Sequence, residues 1–381
     1  MAQPSVKSSE RRQLEAGATF RMPAEWEPHQ ATWLGWPHEL TDWPGKFAPI
    51  PWAFAEIVRH LARVERVNLL VENRVAEARA RAILKKSGVA LEAVTFFHVP
   101  TDRGWMRDSG PIGVFAQSPS GVTLLNFAFN GWAKYDDHKK DAKVVGRIAA
   151  QMNLRHRAKN LRRAQHAVPL RNHDVVLPEH KGRRVVLEGG SIDVNGLGTL
   201  LTTEECLLSK VQERNSGFMR EDYAEVFQRY FGVTNVIWLG RGIAGDDTHG
   251  HVDDLARFVD PTTVVTVVED DPAEENYEPL QENLALLKSA KDQAGEPLRV
   301  ETLPMPEPVW FGGQRLPASY ANFYIANKIV LAPTFNDPAD RFALEKLAAL
   351  FPSREIVPIY CRDLVLGLGT IHCMTQQLPN G

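Results

Sequence analysis

The sequence is short of the features that mark several large protein classes. Its 381 residues include three cysteines, Cys206, Cys361 and Cys373, and an odd, sparse set is no disulfide framework. No uninterrupted apolar run approaches the roughly 18 residues of a membrane span. The first residues, Met1 to Gln13, are polar and lack the apolar core of a secretory signal. Charge of one sign is missing too. The 44 basic and 47 acidic residues leave a net charge of −3, so no global field argues for nucleic acid or an anionic membrane as partner. No low-complexity linker divides the chain. These absences suggest a cytoplasmic protein with reduced thiols, in which residues 1–381 form one domain apart from a poorly ordered segment over 1–20.

What is present is an alternation of strand and helix. Trp52 to Val64 carries Phe54, Ile57, Val58 and Leu61 at helical spacing, and Val75 to Lys86 ends on two lysines, as a helix favours. Val67 to Val71 and Val94 to Val99 read as strands. Val185 to Leu187, Thr199 to Leu201, Val236 to Leu239, Val264 to Val268, Leu298 to Leu303, Tyr324 to Leu331 and Ile356 to Ile359 read as further strands. Arg220 to Tyr230, Tyr277 to Ala290 and Ala339 to Leu350 read as helices between them. The units recur about every 70 to 80 residues, close to one fifth of the chain, which suggests a closed or stacked α/β array. The segment from Arg155 to Arg184 is rich in arginine and lysine. In a chain that is not basic overall, a solvated helix face followed by a loop is the favoured reading over a polyanion site.

Four polar clusters could carry chemistry: Trp105-Met106-Arg107-Asp108-Ser109-Gly110-Pro111, Leu187-Glu188-Gly189-Gly190-Ser191, Asp246 to Asp254, and the glycine-rich turn that delivers Cys373. In the third, His249, His251 and Asp253 alternate as in some metal hydrolases. They would share a face only if that segment were extended, and no second histidine set accompanies them. The other reading is thiol chemistry. A cysteine becomes a nucleophile when its thiolate is populated, with a histidine as acid and base and a carboxylate to orient that histidine. Cys373, His251 and Glu188 offer these roles. Asp108 and Asp253 are then spare, and paired carboxylates suit a planar guanidinium. The residue types thus suggest thiol attack on a cationic amidine or guanidine carbon.

Six motifs resemble, in the same order, those of the agmatine deiminase family of guanidine-modifying enzymes: Met22 to His29, Trp105 to Pro111, Leu187 to Ser191, Gly250 to Asp253, Asn322 to Asn327 and Ile371 to Gln377. The resemblance implies the pentein fold, a five-bladed α/β propeller around a central site. It also implies Cys373 as nucleophile, His251 as general acid/base held by Glu188, Asp108 and Asp253 on the guanidinium, and Trp105 lining the channel. The implied reaction converts agmatine and water to N-carbamoylputrescine and ammonia without metal or organic cofactor. The implied partner is a small cationic guanidine, with homo-oligomerisation left open. Relatives act on peptidyl-arginine and other guanidines. The chain departs from the family's usual pattern at Leu368 and Thr370, which interrupt a glycine run, and at His249 and Asp254, where Asp and Asn are common. The basic connector is also longer than usual in the family.

Overall fold

The computed structural model describes residues 20–116, 121–162 and 175–381, with 154–162 described by backbone alone. Among these residues five sheets of three or four strands recur on one plan. In each, a strand pairs antiparallel with a second, which pairs parallel with a third. The antiparallel strands are Ile112–Ala116, Asp193–Val194, Ala256–Phe258, Tyr324–Ile325 and Thr375–Pro379. Their neighbours are Val122–Leu125, Thr199–Thr203, Thr263–Val268, Ile329–Thr334 and His29–Gly35. The parallel pairs need a crossover, and in four of the sheets a well-defined helix supplies it: Ile50–Leu61, Arg220–Phe231, Tyr277–Ser289 and Ala339–Leu350.

Local sequence accounts for these elements. Helix Ile50–Leu61 buries Ile50, Phe54, Ala55, Ile57, Val58 and Leu61 along one stripe. It starts two residues before the sequence expectation because a proline, Pro51, is tolerated in a first turn. Asn73 caps helix Arg74–Lys86, accepting from the N–H groups of Val75 and Ala76. The central strands Thr263–Val268 and Ile329–Thr334 are almost wholly buried, as strands covered on both faces must be, whereas their parallel partners Arg299–Pro304 and Glu355–Tyr360 lie at an exposed edge. The last strand meets an early one in one sheet, where Thr375–Pro379 lies beside His29–Gly35 with Leu34 opposite Thr375. That pairing locks the residues directly after Cys373.

Two expectations are corrected. Tyr324 to Leu331 is two strands, Tyr324–Ile325 and Ile329–Thr334, paired antiparallel. The break falls at Asn327, whose side chain and N–H bond His29 and Glu65 instead of a ladder. Val185 to Leu187 makes only an isolated bridge, Val186 to Ala128, because Asn215 takes both the N–H and the C=O of Val186. Of the basic connector, the structure shows helix Val144–Arg162 and a hairpin of Glu179–His180 with Arg183–Arg184; residues 163–174 lie outside the described residues.

Candidate active site

Each of the five antiparallel strands is entered through a short turn, and each turn presents a buried polar side chain. Asp108 sits on the helical turn Met106–Ser109, and Glu188 just precedes the turn Gly189–Ser191. His251 and Asp253 flank the start of turn Val252–Asp254. Asn322 lies two residues before Tyr324–Ile325, and Cys373 is on the helical turn Ile371–Met374. A turn puts its side chains beyond the strand end, where backbone groups are not committed to a ladder. Repeating it five times supplies the site from residues up to 265 positions apart, as Arg107 and the His372 carbonyl are.

The histidine lies between two carboxylates. Its Nδ1 is 3.8 Å from Asp108 Oδ1 and its Nε2 is 3.8 Å from Glu188 Oε2. Neither ring nitrogen has a hydrogen-bond partner, nor has Glu188 Oε2 or Asp253 Oδ1, although all are buried. His251 comes this close to its neighbours because residue 190 is glycine: a Cβ there would stand 2.4 Å from Nδ1. Glu188 is clamped by Arg214, whose Nε donates to Oε1 at 3.0 Å. Burial pushes the Glu188 carboxyl up, but Arg214 and His251 outweigh it and hold it down at about 2. Asp108 is fixed by Gly190 N–H on Oδ1 (3.0 Å) and Trp132 Nε1–H on Oδ2 (2.9 Å). Burial, with Asp253 and Glu188 adding to it, pushes Asp108 up to about 6. Burial opposes charge on His251, yet Asp108, then Cys206 and Glu188, keep its pKa well above the ordinary histidine value.

The cysteine wall is built differently. Asn322 Nδ2 donates to Cys373 Sγ at 3.1 Å and to Asp254 Oδ1 at 2.9 Å. Its Oδ1 accepts from Thr370 Oγ1 (2.7 Å) and His372 N–H (3.0 Å). Asp253 Oδ2 is 2.6 Å from His372 Nδ1 and 3.8 Å from Sγ. Burial, then Asp253, Asp254 and Asp108, push the Cys373 thiol well up, with only the Asn322 bond opposing them. Asp254 is itself pushed well up by burial and by Asp253. The indole of Trp105 donates to Asp42 Oδ2 at 3.2 Å and packs beside the cysteine turn. A Cβ on Gly369 would lie 3.0 Å from both that ring and the Cys373 Cβ. Leu368 takes the left-handed conformation, φ 67°, at a cost of about 1–2 kcal/mol, and leans on the core. Thr370 serves Asn322.

The structure thus brings Cys373, Asp253 and, through Asp108, His251 and Glu188 into one buried cluster beside Trp105. It does not assemble His249, His251 and Asp253 as ligands. Val252–Asp254 is a helical turn and His249 is left-handed at φ 66°, so the alternation of an extended strand is lost and His249 bonds Ser209 Oγ at 3.0 Å. Sequence reasoning missed Arg214, Trp132, Asn322, His372, Glu25 and Cys206, whose sulfur lies within 4.8 Å of ligand atoms of Glu188 and His251. Glu25, Asn322 and His372 sit inside the quoted motifs, which marked their segments without a role for them. Nothing in the local pattern singles out Arg214 or Cys206.

Residues 21–379 match the family described as Porphyromonas-type peptidyl-arginine deiminase. The agmatine deiminase of Pseudomonas aeruginosa (strain LESB58) is 34% identical over 383 residues, spanning 94% of this chain and 95% of that protein. That of Stutzerimonas stutzeri is 34% identical with the same coverage. The solved agmatine deiminase of Enterococcus faecalis superposes with a TM-score of 0.82 at 29% identity, covering 96% of this chain and 99% of that one. A substrate-bound cysteine-to-serine agmatine deiminase from C. jejuni gives 0.81 at 27% identity, covering 97% and 99%.

Proposed function

The chain belongs to the Porphyromonas-type peptidyl-arginine deiminase family, together with the agmatine deiminases, and from that premise we infer that it is a hydrolase of guanidine C–N bonds that acts on agmatine. One observation carries the reading beyond kinship. The buried cluster holds Asp108, Glu188 and Asp253, with Glu188 Oε2 and Asp253 Oδ1 lacking any donor, and a guanidinium brings planar N–H donors and a positive charge to such acceptors.

The geometry supports these roles. Asp108 and Asp253 hold the guanidinium between His251 and Cys373. The thiol of the free enzyme is kept protonated by burial and by Asp253, Asp254 and Asp108; a cation among those carboxylates offsets them and favours the thiolate. The thiol proton passes to solvent and is replaced, when the C–S bond later breaks, by the hydroxyl proton of the hydrated intermediate. Sulfur then attacks the guanidinium carbon, forming the C–S bond. His251, raised well above its ordinary value, gives its proton to the departing nitrogen, the C–N bond breaks, and ammonia leaves an amidino-thioether. His251 takes a proton from water, whose oxygen attacks the same carbon. The C–S bond breaks, the ureido product N-carbamoylputrescine leaves and the thiol returns. Every step uses side chains and water.

The five sheets on one plan support a single five-bladed α/β propeller over the whole chain. Small-angle scattering tests that: a compact monomer of 381 residues has a radius of gyration of about 21 Å, and a markedly larger value at low concentration would mean separate domains or an oligomer. We further propose a cytoplasmic enzyme of polyamine metabolism that needs neither nucleic acid nor membrane; no helix among the described residues is long and apolar enough to cross a membrane. The deciding assay measures ureido product and ammonia from agmatine, arginine and a blocked arginine peptide. Agmatine is expected to be fastest, with Cys373→Ser at least about a thousandfold slower and EDTA without effect. Faster turnover of the peptide would move the assignment to a peptidyl-arginine deiminase, and product from Cys373→Ser at the wild-type rate would remove the thiol from the mechanism.

A further inference from the structure

His372, the residue before the cysteine, joins two buried acids. Its Nδ1 is 2.6 Å from Asp253 Oδ2 and its Nε2 is 2.8 Å from Glu25 Oε2. A carboxylate oxygen only accepts hydrogen bonds, so both contacts are satisfied together when each ring nitrogen carries a proton, which makes the ring a cation. The other solution, a protonated acid, is opposed by what surrounds the acids. Burial favours the neutral form of Glu25, but Arg257, His372 and Arg107 hold it well below the carboxylate range, and His372 likewise outweighs burial at Asp253.

The surroundings are balanced in charge. Glu25 Oε1 accepts from the Ile325 N–H (2.8 Å) and is paired in charge with Arg257 Nη2 at 3.0 Å, while Arg107 Nη2 donates to Oε2 at 3.1 Å. Asp193 lies 3.6 Å from Arg257 Nε. Glu25, Asp253 and Asp193 therefore face Arg107, Arg257 and His372, three acids against three cations, all buried. The backbone of His372 is pinned as well: its N–H donates to Asn322 Oδ1 (3.0 Å), and its carbonyl accepts from Arg107 Nε (3.2 Å). Asp253 Oδ2, the oxygen that His372 occupies, is also the one 3.8 Å from the Cys373 sulfur. Beyond it, the thiol is faced by Asp254, Asp108 and the Asn322 amide.

Resting on the reading of Cys373 as nucleophile, we propose that His372 is a positioning residue: a fixed imidazolium that draws the charge of Asp253 away from the sulfur. It leaves Asp253 Oδ1 free for the guanidinium. Glu25 anchors the ring from behind and offsets part of its charge. The two partners should therefore move the thiol in opposite directions. Removing the cation leaves Asp253 facing the sulfur with its full charge and makes the thiolate harder to form. In Glu25→Gln the amide oxygen still accepts from Nε2–H and Asp253 still holds Nδ1–H, so the ring keeps its charge while the Glu25 charge is lost. Arg107, Arg257 and His372 are then less compensated and the thiolate is easier to form.

The test reads the thiol without substrate. The full chain is treated with iodoacetamide at fixed pH values between 7 and 10, below the raised midpoint of the thiol, where a tenfold change in alkylation rate reads as one pH unit of midpoint. The adduct on the Cys373 peptide is followed by mass spectrometry, with circular dichroism to confirm folding. For His372→Gln the midpoint is expected to rise by at least one pH unit, with alkylation at pH 7 about tenfold slower. For Glu25→Gln it should fall. An unchanged midpoint in folded His372→Gln, or a shift of both variants in one direction, overturns the proposal, since loosened packing would move both alike. If His372→Gln does not fold, Glu25→Gln decides alone, and a midpoint that fails to fall overturns it. Turnover of agmatine with unmoved midpoints sinks this inference only. Midpoints that move as stated in a protein that hydrolyses no guanidine sink the assigned reaction only.

Discussion

The two walls of the site contain similar residue types and treat them in opposite ways. On the cysteine wall, Cys373, Asn322, Asp254, His372, Asp253 and Glu25 form a continuous run of contacts between 2.6 and 3.1 Å. On the histidine wall, His251 stands 3.8 Å from each neighbouring carboxylate with both ring nitrogens unpartnered. An unmade hydrogen bond on a buried group costs about 1–3 kcal/mol, so the open wall is held against a penalty, of which a bound guanidinium, a donor only, can relieve the part on the Glu188 Oε2 acceptor. The difference teaches where the molecule spends its rigidity. In the proposed reaction this means a nucleophile oriented before substrate arrives and an acid/base left without fixed partners.

The contrast breaks most severely where the open wall has its one strong anchor. The Glu188–Arg214 pair is fully buried on both sides, and removing one partner of such a pair costs about 3–5 kcal/mol because the other charge is stranded. Glu188→Ala is therefore expected to lower the melting temperature of this 381-residue chain by about 4–6 °C. The pH dependence has a definite sign. Folding holds this carboxyl at about 2 against an ordinary 4.5, so its ionised form stabilises fully above about 4.5 and is lost as pH falls towards 2. The melting gap between wild type and variant should persist from neutral pH to about 4.5 and narrow below it. A gap unaffected by acid would mean that Glu188 contributes by packing rather than by charge.

The same contrast explains what sequence could and could not reveal. Alternating apolar periods located the helices to within a few residues, because Phe54, Ile57, Val58 and Leu61 pay for their own burial. The repeating unit length already hinted at five sheets. Cys373, His251, Asp108, Glu188 and Asp253 were legible because each lies on a glycine-bearing or turn-forming stretch that an apolar core does not require. Their supports were not. Trp132 resembles any core indole until its N–H is seen on Asp108, and Arg214 resembles any surface arginine until it is seen buried against Glu188. The expected hold of Glu188 on His251 is also looser than motif order implies, since the strong bond of Glu188 goes to Arg214. Nor could spacing reveal that His249 turns to Ser209, because a left-handed residue breaks an alternation without changing the letters.

A gentler perturbation sharpens the comparison through Asp108, which is fixed by donors but faces the open wall. Its carboxyl is pushed up to about 6, and only the ionised form accepts from a guanidinium. The kcat/KM for agmatine should therefore rise with pH through about 6. Trp132→Phe removes the indole N–H that favours the carboxylate. Hydrogen bonds to charged groups contribute about 1.5–3 kcal/mol, so kcat/KM should fall about tenfold or more, mainly through KM, and the acid limb should move to higher pH. If the limb stays in place while activity drops, Trp132 shapes the channel and does not tune the acid.

The smallest expected effect lies on the closed wall, at one of the two positions where the chain departs from the glycine run usual in the family. Thr370 Oγ1 gives Asn322 Oδ1 its shortest bond, 2.7 Å, and Asn322 in turn donates to the sulfur. Thr370→Val keeps the shape and removes that donor. The His372 N–H at 3.0 Å remains on the same oxygen, so the amide loosens without losing its place. A neutral hydrogen bond contributes about 1 kcal/mol, and kcat for agmatine is expected to fall by no more than about fivefold. KM should stay put, because the lost bond orients the nucleophile and touches no group assigned to the guanidinium. A rise in KM with constant kcat would contradict the division into two walls, since it would make the cysteine turn part of the substrate's binding surface.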